Sequence, residues 1–220
     1  MNPKKLAADC AVDYIKDGMI VGLGTGSTAY WAILKIGERV RNGLQIQAVA
    51  SSEASEQLAR ENGIPMIPFH EAEFIDIYID GADEVDSQWN LIKGGGGALL
   101  REKICAYNSK QFIVIVDESK LVHRLGKFPL PVEVVPFAHS LTLRQIEKLH
   151  VEANLRMKDG QLFISDNGNY IADCSFGHID DPESLHDQLN QIPGVVDNGL
   201  FIRMASQVVV GHQDGRVSIL

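Results

Sequence analysis

The sequence predicts an α/β protein: a parallel-sheet domain with crossover helices, joined to a smaller α+β domain. Three observations lead there. Short apolar runs of strand length alternate with stretches of helical spacing through the first half of the chain. The run Phe112-Ile113-Val114-Ile115-Val116 is continuously apolar, as expected of a strand buried on both faces. Beyond Phe128-Pro129-Leu130-Pro131 the pattern changes to strand, helix, meander, helix and strand. A length of 220 residues accommodates both parts.

In order, Lys4 to Lys16 carries apolar groups at Leu6, Ala7, Cys10, Ala11, Tyr14 and Ile15, a helical spacing stopped by Gly18. Met19 to Leu23 is a buried strand, followed by a glycine loop and a helix from Thr28 to Arg39. Gln45 to Ala50 is a strand. Ser51 or Ser52 caps a helix that runs to Asn62 and stops at Gly63. Phe74 to Asp80 is a strand rich in β-branched and aromatic residues, ending at the turn Gly81-Ala82-Asp83-Glu84. Ala98 to Asn108 is a helix that leads into the apolar strand at Phe112. In the second part, Ser140 to His150 and Pro182 to Gln191 are helices, the latter capped by Asp181. Asn167-Gly168 predicts a hairpin between Leu162–Ile164 and Tyr170–Ala172, and Val195 to Ile202 is a closing strand. Val208–Val210 and Val217–Ile219, around Gln213-Asp214-Gly215, form a hairpin assigned back to the first domain. The expected domains are therefore residues 1–128 plus 204–220, and residues 129–203.

Hydrophobic residues make up 45% and charged residues 22%, ordinary for a globular chain. A formal net charge of −9 argues against a general nucleic-acid role, because phosphate backbones need a cationic face. A small anionic substrate needs only a local cluster of lysines and N–H groups. Cys10, Cys105 and Cys174 have neither metal nor redox spacing and read as reduced thiols. No stretch approaches the ~18 apolar residues of a membrane span, and the first residues lack the apolar core of a signal peptide. The expectation is a cytoplasmic protein with no membrane partner.

Four clusters sit where predicted strands hand over to loops, the end at which α/β sheets collect ligands. Gly22-Leu23-Gly24-Thr25-Gly26-Ser27-Thr28 admits close backbone approach and precedes a helix start suited to phosphate. A dinucleotide fingerprint fails there, since its third glycine falls at Ser27 and the following strand ends Val49-Ala50-Ser51 without a ribose-binding acid. A purely structural turn remains open for this cluster taken alone. Asp80-Gly81-Ala82-Asp83-Glu84-Val85-Asp86 is dense in acid but lacks calcium-loop spacing; a solvated turn is its alternative. Lys93-Gly94-Gly95-Gly96-Gly97 lacks the Gly-Lys-Ser/Thr ending of a P-loop, yet four glycines carry an entropic penalty that a closely pressed ligand would explain. Glu102, about one turn into the next helix, would face that loop; taken alone it reads better as a surface acid. Lys120, in Asp117-Glu118-Ser119-Lys120, follows the buried strand and by default is a solvated loop lysine.

Thr25-Gly26-Ser27-Thr28, Asp80-Gly81-Ala82-Asp83, Lys93-Gly94-Gly95-Gly96, Arg101-Glu102-Lys103 and Lys127 to Val134 closely resemble the signature segments of type A ribose-5-phosphate isomerase. Order and spacing fit, and the likeness runs from Lys4 to the C-terminus. The resemblance implies interconversion of ribose 5-phosphate and ribulose 5-phosphate, a Rossmann-like catalytic domain with a ferredoxin-like lid, and a homo-oligomer, often a dimer. It implies Glu102 as the proton-transferring base and Asp80, Asp83 and Lys93 at the sugar end. Thr25 to Thr28 with Lys4 would hold the phosphate, Gly81, Ala82 and Gly94 to Gly96 would contact substrate, and Lys120 would line the site. Gly97 departs from the alanine expected in many relatives, which could loosen the loop.

An aldose–ketose isomerase moves a proton between two adjacent carbons, so one carboxylate can serve as base and then acid. The enediolate needs preorganised donors, for which Lys93 and the glycine N–H groups are the candidates. Asp80 and Asp83 are available for ring opening. His70, His123, His139, His150, His178, His186 and His212 share no short metal-ligand spacing, so neither a metal nor a cofactor is expected. The alternatives are a glucosamine-phosphate deaminase, a CoA transferase needing a glutamyl thioester, or a sugar-phosphate sensor, which would need an output segment that the sequence lacks.

Overall fold

The computed structural model describes residues 2–220. The first elements are α1 (Pro3–Val12), β1 (Ile20–Leu23), α2 (Ala29–Arg41), β2 (Gln47–Ala50), α3 (Glu53–Glu61) and β3 (Ile75–Gly81). Then follow β4 (Glu84–Val85), β5 (Leu91–Ile92), α4 (Leu99–Tyr107), β6 (Ser109–Asp117), β7 (Leu130–Val134), α5 (His139–Glu147) and β8 (Glu152–Leu155). The last are β9 (Met157–Lys158), β10 (Gln161–Leu162), β11 (Tyr170–Ser175), α6 (Pro182–Asn190), β12 (Val195–Asn198), β13 (Leu200–Phe201), β14 (Gln207–Gly211) and β15 (Val217–Ile219). No helix among the described residues is long and apolar enough to cross a membrane.

Two compact units result. The first comprises the chain up to Ala82, Arg101–Leu121 and Met204–Leu220. Its six-stranded sheet runs β15-β14-β6-β3-β1-β2 and is parallel except for the β14–β15 hairpin. Parallel strands need crossovers, which is why helices alternate with them. The small face of α1 (Ala7, Ala8, Ala11) and Ile33 and Ile36 of α2 pack with Val21, Ile77, Ile79, Ile113 and Ile115 in one core. Burying each such isoleucine contributes about 1.5–3 kcal/mol. Asn2 caps α1 and Pro3 begins it. That helix stops at Val12, short of the expected Lys16. The guanidinium of Arg39 takes the carbonyls of Val12 (2.5 Å) and Ile15 (3.3 Å), and the chain tightens there into i→i−3 bonds.

The second unit comprises Asp83–Leu100 and Val122–Arg203. Its antiparallel sheet, β12-β7-β11-β8, shares a core with α5 and α6 through Val132, Val134, Ile146, Leu185 and Leu189. A three-stranded sheet, β13-β5-β4, accompanies it. The expected strand Val195 to Ile202 is in fact two, broken at Gly199. The Gly199 N–H donates to Pro131 O (2.7 Å) and its carbonyl accepts from Lys93 N–H (2.9 Å). A Cβ at Gly199 would lie 2.3 Å from the Lys93 carbonyl oxygen, so glycine is what allows that approach.

The expected hairpin also differs. Asn167-Gly168 does turn, with Gly168 at φ +77, but only Ile164 bridges Tyr170, while β11 pairs with β7 and β8. The buried Glu133 carboxylate of β7 explains this. Its Oε1 accepts from Ser165 Oγ (2.9 Å), Asn167 Nδ2 (3.1 Å) and Asn169 Nδ2 (2.9 Å), so the turn wraps an acid instead of extending a ladder.

Candidate functional site

In the first unit the features gather at the carboxyl ends of β1 and β3. Asp80 is fully buried. Its Oδ1 accepts from the N–H of Thr25 (2.9 Å) and of Gly81 (2.7 Å), and its Oδ2 accepts from the Tyr78 hydroxyl (2.5 Å). A Cβ on Gly24 would sit 2.1 Å from Asp80 Oδ1, so the glycine at that position is required by the acid beside it. Gly22 is required by Tyr78 in the same way, with 2.7 Å between its missing Cβ and the ring. Tyr78 stacks on Phe112 at 5.0 Å. Burial pushes its phenol well above the ordinary range, the Asp80 carboxylate adds to this, and Cys105 and Glu102 contribute further.

The loop beyond Asp80's grip is braced by hydroxyls. Thr25 Oγ1 lies 2.8 Å from Ser51 Oγ and donates to Ser52 Oγ at 2.8 Å, and Ser55 Oγ donates to Gly24 O at 2.7 Å. Gly26 (φ +103) and Ser27 are exposed. Lys4 Nζ reaches across from α1 to donate to Ser27 Oγ (2.9 Å). Thr28 stands at the N-cap of α2 without a side-chain capping bond. A lysine, two hydroxyls and a helix start therefore meet at one solvent-facing loop, a fit for a small anion.

Glu102 lies in the first turn of α4, buried to 2% exposure. A first turn favours negative charge. Lys120 ends a short 3₁₀ turn, Glu118–Lys120, after β6 and is partly exposed.

In the second unit Asp83 and the glycine run form a tight pair. Asp83 Oδ2 accepts from the Gly95 N–H (2.8 Å), and a Cβ on Gly95 would fall 2.6 Å from Asp83 Oδ1. Lys93 is 2% exposed, with its Nζ 5.4 Å from the centre of the Phe201 ring. Gly94 adopts φ +99 and Gly97 φ +82, conformations that suit glycine. Gly95 and Gly96 are the exposed pair at the tip. Gly97 meets the Phe163 ring, which would lie 2.3 Å from an added Cβ.

The motif-based reading passed over Tyr78, the serines at 51, 52 and 55, and Arg156. Tyr78 carried a signal: two residues before Asp80 on a strand, it shares that residue's face. Arg156 carried none, being 62 residues from Gly94, whose carbonyl it binds. No group of three or more His, Cys, Asp or Glu positioned to hold a metal ion occurs among the described residues.

The glycine loop at the carboxyl end of β1, held by the buried Asp80, gives the first unit the strand-end arrangement at which α/β proteins collect ligands. The model of the family described as ribose 5-phosphate isomerase A (phosphoriboisomerase A) matches residues 47–215. Ribose-5-phosphate isomerase A of Bacillus mycoides is 52% identical over 216 residues, 98% of each chain. That of Thermoplasma acidophilum is 52% identical over 215 residues, 96% of this chain and 89% of its own. Among solved structures, ribose 5-phosphate isomerase A from Methanocaldococcus jannaschii has a TM-score of 0.93 at 44% identity, covering 99% of this chain and 97% of that one. A D-ribose-5-phosphate isomerase in complex with phospho-erythronic acid has a TM-score of 0.95 at 43% identity, covering 100% and 99%. The chain belongs to the ribose 5-phosphate isomerase A family.

Proposed function

We propose that this chain interconverts D-ribose 5-phosphate and D-ribulose 5-phosphate through an enediolate, as an aldose–ketose isomerase of the non-oxidative pentose phosphate pathway, working in the cytoplasm as a homodimer. The observation that carries the reading is similarity over essentially the whole chain to ribose-5-phosphate isomerases, one of them solved with phospho-erythronic acid. That acid is a phosphorylated carboxylate, and a carboxylate has the planarity and charge of an enediolate.

The roles follow the chemistry. Glu102 removes the proton at C2 and returns it at C1. Its place in the first turn of α4 supports a charged base, and its burial limits competition from water. Lys4, Thr25, Gly26, Ser27 and Thr28 hold the phosphate, which fixes the register of the reacting carbons. Lys93 and the N–H groups of Gly94 and Gly96 receive the developing oxyanion, while the Gly95 N–H holds Asp83. Asp83, with Gly81 and Ala82, contacts the sugar and assists ring opening. Asp80 contributes to the same end through the loop it holds at Thr25. Lys120 lines the site.

The test is a ribose 5-phosphate to ribulose 5-phosphate conversion assay, with and without chelator, on the wild type and on Glu102→Gln. The wild type should convert the substrate whether or not chelator is present. The Gln variant should lose ~10²-fold or more in turnover while still binding substrate. Near-wild-type turnover in Glu102→Gln would remove Glu102 from the role. Activity lost to chelator and restored by metal would refute the metal-free mechanism.

A further inference from the structure

We propose that Arg156 is a positioning residue that sets the Gly94–Gly95 and Gly95–Gly96 peptide planes and so holds the Gly95 N–H on Asp83 and presents the Gly96 N–H to the oxyanion. This rests on the isomerase reading above.

Arg156 follows β8. Its side chain is 14% exposed and is fixed on one side by a two-point bond to Asp173: Nε donates to Oδ2 at 2.9 Å and Nη2 to Oδ1 at 2.5 Å. The remaining nitrogen, Nη1, donates to both Gly94 O (2.9 Å) and Gly95 O (3.0 Å). A planar guanidinium anchored in this way has no freedom left to follow the loop, so the loop follows it.

The consequence comes from peptide planarity. In a trans peptide the C=O and the next N–H point in opposite directions. With the Gly94 carbonyl on Arg156, the Gly95 N–H faces the other way, where it donates to Asp83 Oδ2 at 2.8 Å. With the Gly95 carbonyl also on Arg156, the Gly96 N–H is turned to the side away from the guanidinium, at an exposed residue. Two adjacent glycines have the widest choice of peptide orientation of any dipeptide, so an external clamp is what gives them one. A cation on both carbonyls also polarises both peptide groups, which strengthens their N–H ends as donors. Phe163 completes the clamp. Its N–H donates to the Arg156 carbonyl at 2.9 Å, and its ring closes over Gly97.

Arg156 touches no reacting atom in this scheme, so its loss should leave the phosphate end intact and weaken what the glycine loop does. The experiment compares the full-length wild type with Arg156→Met, Arg156→Lys and Asp173→Asn. It measures kcat and KM for ribose 5-phosphate and inhibition constants for phospho-erythronic acid and inorganic phosphate. Arg156→Met should lower kcat about ten- to a hundredfold and weaken phospho-erythronic acid by a similar factor. Inorganic phosphate should stay within about twofold of its wild-type affinity. Arg156→Lys should fall between, because one ammonium cannot hold both carbonyls and Asp173 at once. Asp173→Asn, which frees the guanidinium, should move in the same direction as Arg156→Met. The proposal is overturned if kcat in Arg156→Met stays within about threefold of wild type, or if both inhibitors weaken equally. If Arg156→Met does not fold, Arg156→Lys and Asp173→Asn decide by the same split. A wild type that fails to convert ribose 5-phosphate refutes the isomerase reading instead.

Discussion

Asp80 offers a sharp separation between losing a charge and losing an acceptor. It is fully buried and accepts from Thr25 N–H, Gly81 N–H and the Tyr78 hydroxyl. Hydrogen bonds to a charged group contribute about 1.5–3 kcal/mol each, and a donor left buried without an acceptor costs about 1–3 kcal/mol. Asp80→Ala strips the acceptor from all three. Gly81 and Thr25 are only partly buried, so water recovers some of the loss. A net destabilisation of ~3–5 kcal/mol is expected, a large share of the ~5–15 kcal/mol typical of a folded protein. Asp80→Asn is different. Its amide oxygen can keep the two N–H donors, and its NH₂ can face a Tyr78 hydroxyl rotated to accept. Removing a buried charge also relieves its desolvation, so the net change should stay within about 1 kcal/mol. Urea unfolding followed by circular dichroism measures both variants. With a slope of about 2–3 kcal/mol per molar, Asp80→Ala should lower the midpoint by ~1–2 M and Asp80→Asn by less than ~0.5 M. Tyrosine absorbance gives an independent check. In Asp80→Asn the Tyr78 phenol should titrate lower than in wild type yet above the ordinary range, because burial, the larger cause, remains. An alanine variant as stable as wild type would refute the picture of Asp80 as the loop's anchor.

Other substitutions test separate links. Gly97→Ala must adopt φ +82 and push Phe163 aside; it should cost about 1–3 kcal/mol in thermal melts, and adding Phe163→Ala should recover part of that loss. Lys4→Ala should raise KM for ribose 5-phosphate far more than it lowers kcat, and wild-type KM should rise with salt; an unchanged KM in the variant argues against the phosphate role of the Lys4–Ser27 contact. The exposed Glu118 is held below its usual 4.5, first by its hydrogen bond with His212, then by the Gln213 N–H. A depressed carboxylate stabilises above its unfolded value and loses that contribution as pH falls through the folded one. The wild type should therefore melt above Glu118→Gln near neutral pH, and the gap should close on acidification below about pH 4. A gap that persists at low pH would rule out the charge as its cause.

The elements best read from sequence were those whose pattern and burial agree locally. Phe112 to Val116 is continuously apolar because all five side chains, which alternate between the two faces of the sheet, are buried. Its polar start, Ser109 to Gln111, escaped the pattern: it belongs to the strand by pairing with Ile75 and Ile77 of β3, and pairing leaves no mark on hydropathy. Long-range contacts hid in the same way. α1 ends early because of a guanidinium in α2, and the strand after Val195 breaks because Lys93 must approach Gly199. Each decisive partner lies far off in the chain.

The candidate site divides along the same line. The candidate residues were legible as clusters because they lie in strand-end loops: Thr25 to Thr28, Asp80 to Asp83 and Lys93 to Gly97 are each contiguous, and glycine density is itself evidence of a constraint. What imposes the constraint was not legible. Gly24 is fixed by Asp80, Gly95 by Asp83, Gly97 by Phe163 and Gly199 by the Lys93 carbonyl. Three of those partners are side chains, and only the two acids stood out as candidates. The glycines in these loops are therefore not slack. At Gly24, Gly95, Gly97 and Gly199 another group occupies the volume a Cβ would need, so these four positions are held from outside their own loops. Gly97 shows this most directly: from sequence it is a departure from an expected alanine that could loosen the loop, whereas the Phe163 ring fills the space that an alanine would need and makes glycine and phenylalanine a matched pair.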